Sequence, residues 1–159
     1  MKRCFIVIFL IAMAGLSFSI DIDLGVAVDV TQAMEQTLGC AQLAIMANVG
    51  VFAFDIPFAQ VWPSERRIEY IDPLQSYAGL NFKLPITILY VKANLGVQIA
   101  GVLDLLGGKI EGWDLPSKAR VALGVSDSGF FLEGGFSAEF TPTLDRLNFC
   151  PYAAIGVVF

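Results

Sequence analysis

Along seven stretches of the chain, apolar residues alternate strictly with small or polar ones, and the apolar side of all seven carries no charged residue and no amide. Successive side chains of a β-strand point to opposite faces. Ile20, Ile22, Leu24, Val26, Val28 and Val30 therefore share a face, against Asp21, Asp23, Gly25, Ala27 and Asp29. Leu43, Ile45, Ala47, Val49 and Val51 oppose Gln42, Ala44, Met46, Asn48 and Gly50, while Leu89, Val91, Ala93, Leu95, Val97 and Ile99 oppose Tyr90, Lys92, Asn94, Gly96 and Gln98. The same period returns over residues 77–85, 118–125, 130–140 and 152–159.

Composition decides what the apolar faces meet. The chain is 56% apolar and 16% charged, against about 45–50% and about 25% in soluble domains. Its first 19 residues read as an export signal: Lys2 and Arg3, an apolar run over residues 4–16, then Ser17, Phe18 and Ser19 before a cleavage site. That run is shorter than the roughly 20 residues a spanning helix needs. No helix-length apolar segment follows it, so residues 20–159 are expected to form one domain that crosses a membrane with strands. The formal charge of −5 disfavours nucleic acid as a partner.

Turn lengths orient the strands. Two connections are tight, at residues 85–88 and at Ser126-Asp127-Ser128-Gly129, and membrane barrels keep short turns on the periplasmic side. Reading back from Phe159 leaves two successive downward strands around residues 55–75, so parity requires an eighth strand there. Residues 58–62, after a turn at Asp55-Ile56-Pro57, are the first choice and residues 67–71 the second, since Pro63 should end a ladder. The predicted fold is all-β: a single antiparallel up-and-down eight-stranded transmembrane β-barrel, with long outer loops at residues 31–39, 63–76, 102–117 and 141–149.

These features resemble the small eight-stranded outer-membrane barrel proteins, the group that includes the transmembrane domain of outer membrane protein A and proteins X and W. The resemblance rests on the signal, the strand count and the last strand, where Tyr152 begins a run that keeps Ala153, Ile155 and Val157 in phase with Phe159. That ending resembles the signal read by the barrel assembly machinery. It implies an address in the cell outer membrane, with that machinery and outer-membrane lipid as partners. It does not imply an activity, because the architecture serves unrelated functions.

The polar faces line a lumen just wide enough for side chains to fill. Asp21, Asp23, Asp29, Glu133 and Glu139 are expected to balance Lys83, Lys92, Lys118 and Arg120 in a luminal salt-bridge network. A hairpin centred on residues 126–129 sets Lys118 diagonal to Glu139 and Arg120 diagonal to Glu133; at the other tight turn, pairing Asn81 with Lys92 and Lys83 with Tyr90 keeps the two lysines apart. The network holds the lumen shut, and rearranged partners would open a narrow path.

Catalysis is disfavoured, since the chain has no His and with it neither the commonest general base nor a Ser/His or Cys/His pair. Asp21-x-Asp23 reads as salt-bridged strand acids in preference to a calcium or catalytic pair, and Gly107-Gly108-Lys109 lacks P-loop spacing. No motif calls for a cofactor or metal. Cys40 and Cys150 remain after Cys4 leaves with the signal; both fall at the outer rim, about 9–10 Å apart across two strand spacings, and form a candidate disulfide only where loops bend inward. Leu38-Gly39-Cys40 lies too far from the amino terminus for a lipidation box. Trp62, Tyr77, Phe130, Phe140 and Phe159 fall near strand ends, where an interfacial belt is expected, and Trp113 is the most exposed loop aromatic. The leading function is a surface-exposed, non-enzymatic outer-membrane barrel that passes or binds small solutes. A surface adhesin that meets a host or cell-surface ligand is the second. A soluble periplasmic barrel of lipocalin type, with its apolar face inward, is the third.

Overall fold

The computed structural model describes residues 21–31, 40–144 and 147–159. The segment expected to be an export signal and most of the first long loop lie outside the described residues. Among the described residues nine strands appear in the order β1 (Ile22–Thr31), β2 (Cys40–Val49), β3 (Phe52–Trp62), β4 (Arg67–Tyr70), β5 (Tyr77–Ile86), β6 (Leu89–Gln98), β7 (Ser117–Asp127), β8 (Phe130–Phe140) and β9 (Leu147–Val158). Eight of them close into an antiparallel barrel, β1 pairing with both β2 and β9, while β4 pairs only with β3. Among the described residues one α-helix, α1 (Ile99–Leu106), follows β6 directly.

Closure requires stagger. Partners followed round the wall from Asp23 through Asn48, Ala53, Gly79, Gly96, Lys118 and Glu139 reach Asn148, beyond the last β9–β1 pair, Tyr152 with Asp29. Every residue on that walk faces the lumen, so the period of two survives the tilt. The expected polarity holds: Ile22, Leu24, Val26, Phe52, Phe82, Leu95, Leu123, Leu132 and Ile155 are exposed on the outer wall, and Asp23, Asp29, Lys92, Lys118, Arg120 and Glu133 are buried inside. A lipocalin-type barrel needs the reverse arrangement.

Three tight turns gather at one end: Gly50-Val51, Thr87-Ile88 and Ser128-Gly129. Ser128 and Gly129 both have positive φ, at 51° and 81°, as a two-residue hairpin turn demands. Phe159 closes the same end by exchanging backbone hydrogen bonds with Ile22. All long connections leave the opposite, loop end.

The eighth strand required by parity is β3, but its boundaries correct the expectation. Asp55-Ile56-Pro57 is not a turn; it lies inside β3, where Phe52, Phe54, Ile56 and Phe58 face out and Ala53, Asp55, Pro57 and Ala59 face in. Pro57 is tolerated because β5 pairing ends at Asp55–Tyr77 and a bulge at Leu43/Ala44 breaks the register to β2. The second choice for that strand is β4, an extension of the β3 hairpin beyond the barrel. Pro151 lies within β9, at the point where the ladder to β1 stops.

Candidate functional site

The lumen holds nearly all the chemistry of the barrel, in two tiers. Near the turn end Lys92 Nζ lies 2.6 and 2.7 Å from the Glu133 carboxylate, and the Tyr90 hydroxyl donates to the same group at 2.7 Å. Lys83 Nζ meets Asp23 at 3.0 Å and sits 4.7 Å from the centre of the Tyr90 ring. Phe131 closes this tier: its ring reaches so close to Gly25 and Gly156 that a methyl at either would meet it within about 2.6 Å. Gly124 likewise leaves room for the Tyr90 ring. Small residues on one strand thus admit the few large side chains of another.

Near the loop end the arrangement is denser. Lys118 Nζ contacts Asp29 at 2.7 Å and both Asp55 and Glu139 at 3.1 Å. Arg120 bridges Asp29 and Asp55, and Ser137 donates to the other Asp29 oxygen at 2.8 Å. The Tyr152 ring lies 4.8 Å from the Arg120 guanidinium and the Tyr77 ring 5.4 Å from Lys118, both in the range of cation–π contact. Between the tiers Asn94 donates to Asn48 at 3.4 Å. Asp55 Oδ1, Arg120 Nε and Asn94 Oδ1 have no protein partner, and their residues border a void of about 20 Å³, a volume that one water fills.

The expected network is present, with three changes. Asp21 is exposed at the edge of β1 and does not enter the lumen. Asp55 takes its place, from inside β3 and not from the turn expected at Asp55-Ile56-Pro57; the alternation of Phe52, Phe54, Ile56 and Phe58 is the sequence signal that marks it as inward-facing. The registers also differ. Lys118 lies directly opposite Glu139, Arg120 opposite Ser137 and Glu133 opposite Gly124, while Lys83 and Lys92 face each other across β5 and β6. Two adjacent lysines are tolerated because each finds its acid across the lumen, Lys83 on β1 and Lys92 on β8.

Above the loop-end tier opens a vestibule of about 1280 Å³, bounded by α1, the connection to β7 and the ends of β8 and β9. Among the described residues, Asp104, Glu111, Asp114 and Glu139 line it against one cation, Lys109, which pairs with Asp104 at 3.0 Å. Glu139, a third exposed, is both the floor of this cup and a ligand of Lys118.

The other predicted residues are placed as follows. Cys40 pairs with Thr31 on one side of β1, and Cys150 sits two residues before Tyr152 on the other side. Both cysteines are buried and no disulfide joins them. Ala153, Ile155 and Val157 face outward, Phe159 is 74% exposed, and Tyr152 turns into the lumen. Phe130 is exposed at its strand end; Tyr77 is inside and belongs to no outer belt.

Fold and site together define a class: a closed eight-stranded antiparallel β-barrel, apolar outside and charged within. The chain was compared with protein-family models, curated proteins and solved structures, and none of the three comparisons returned a match.

Proposed function

We propose that this protein is an integral outer-membrane β-barrel, non-enzymatic and surface exposed, with a lumen sealed by its own ion pairs and an outer cup that receives small solutes. The observation that carries the reading is the inverted polarity of the wall. On every barrel strand the mid-strand outward residues are apolar, whereas nine ionised side chains point inward. In water such a wall would be an exposed apolar surface far larger than the few hundred Å² that soluble proteins tolerate. A ten-residue strand, at about 3.3 Å per residue and tilted about 40°, rises about 25 Å, the height of the apolar band in outer-membrane barrels.

The same charges argue for a plug over an open pore. Lys92 and Glu133 side chains are at most 2% exposed, and a water-filled passage would wet both. The acidic cup favours cationic or neutral solutes over anions. An adhesive role gains support from the β3–β4 hairpin, which projects beyond the barrel with Ile68 at 62% and Tyr70 at 89% exposed.

Phase partition in Triton X-114 after native extraction tests the membrane assignment. The protein is expected in the detergent phase; recovery in the aqueous phase overturns the proposal. Liposome swelling against whole-cell binding separates solute passage from adhesion.

A further inference from the structure

Helix α1 begins at Ile99, the residue after the end of β6, and carries one charge, Asp104. Its two sides differ. Gly101 and Asp104 face the vestibule, with Gly108 one turn further on, and Gly101 is buried against Leu115 and Pro116. At about 100° per residue Ile99, Leu103 and Leu106 share the opposite side. They are also the exposed ones, Leu103 at 54% and Leu106 at 80%. The 3-10 turn that α1 packs against adds Leu74, half exposed.

α1 therefore repeats the polarity of the barrel wall, polar toward the enclosed space and apolar away from it, and it continues outward from the apolar face of β6 at Leu95. Water is a poor medium for that outer side, because a large aliphatic side chain left exposed forgoes the stabilisation that burial brings. An eight-residue helix is also below the roughly 12 residues at which isolated helices become stable. We infer that α1 is a lipid-contacting element, lying along the outer interface of the membrane with Ile99, Leu103 and Leu106 among the acyl chains. Lipid is the occupant that the geometry favours, since the exposed face joins the wall and turns away from the cup. The inference rests on the membrane reading of that wall.

Single-tryptophan variants of the full chain separate the two. In a Trp62→Phe, Trp113→Phe background, tryptophan is placed at Phe136 on the outer wall, at Leu106 on the outer side of α1, and at Asp104 on its cup side. Each variant is refolded into vesicles containing brominated phosphatidylcholine, and its folding is checked by heat-modifiable gel mobility. Leu106→Trp should be quenched to at least about half the extent of Phe136→Trp, and Asp104→Trp far less. Quenching of Phe136→Trp alone overturns the role of α1 and leaves the membrane barrel standing. Emission from Leu106→Trp that is blue-shifted but unquenched means a protein cover, such as a second copy of the chain, and also overturns it. Equal quenching at residues 104 and 106 denies the helix a lipid side. No quenching at residue 136 defeats the barrel reading itself.

Discussion

The two charge tiers of the lumen use the same residue types to different ends. At the turn end two cations meet two carboxylates, each pair discrete, and the central pair is sealed from solvent. At the loop end two cations share three carboxylates, and one of these, Glu139, reaches the vestibule. A discrete buried pair has no substitute partner, so losing one member strands the other. A shared cluster redistributes. The turn-end tier is thus the plug, and the loop-end tier is an adaptable floor beneath the cup.

The largest expected effect lies in the plug. Glu133→Gln removes the carboxylate charge that pairs with Lys92, which is 2% exposed and otherwise lies against Met46 and the Phe131 ring. Removing one member of a buried pair costs about 3–5 kcal/mol. Urea titration of the protein refolded in micelles should show an unfolding free energy lower by that amount, and Lys92→Met combined with Glu133→Gln should recover most of it. A double variant no better than the single one would break the account of the plug as a discrete pair. The single variant should also admit transient conductance in planar bilayers, and the wild type is expected to admit none.

Why these partners were only partly legible follows from where they sit. The wall could be read because its rule is local: Ile22 to Val30 alternate within one strand, and outward-facing or lumen-facing character repeats at every second residue. Ion pairs across the lumen obey no such rule. Lys83 finds Asp23, 60 positions away, and Arg120 finds Asp29, 91 positions away, because stagger and the filling of the interior bring them together. Reasoning from neighbouring strands could place Lys118 near Glu139 but not Glu133 near Lys92. Asp55 was hidden by Pro57, which read as a breaker until the bulge and the early end of β5 pairing explained it. α1 escaped for another reason: Ile99 keeps the strand phase, and the change to helical spacing needs Leu103 and Leu106 to be seen.

Gly124→Ala tests the plug indirectly. A methyl there collides with the ring and hydroxyl of Tyr90, the donor to Glu133. Overpacking of this kind costs about 1–3 kcal/mol, and the shifted Tyr90 should lose its hydrogen bond. Combining Gly124→Ala with Tyr90→Phe should then cost less than the sum of the two. Additive losses would show that the glycine acts apart from the pair.

Asp29→Asn probes the shared tier. Asp29 accepts from Lys118, Arg120 and Ser137, one donor more than Glu133, which accepts from Lys92 and Tyr90. A count of bonds alone would make it the costlier loss. Redistribution predicts the opposite, since Lys118 keeps Asp55 and Glu139, Arg120 keeps Asp55, and two carboxylates then balance two cations. The expected loss is about 1.5 kcal/mol, the weight of one charged hydrogen bond. A loss equal to that of Glu133→Gln would erase the distinction between the tiers.

Glu139→Gln should change stability least and the cup most. Its carboxylate is a third exposed and lies 3.1 Å from Lys118, which retains two other acids. Partly solvated pairs are worth about 1 kcal/mol or less, so the urea midpoint should scarcely move. The same change removes a negative charge from the floor of the vestibule. If the cup receives cationic solutes, a cationic fluorophore titrated into micelle-refolded protein should bind more weakly to the variant, and the difference should shrink as salt is raised. Unchanged binding with a lowered midpoint would reverse the assignment, making Glu139 part of the structural network and leaving the cup without its acidic floor.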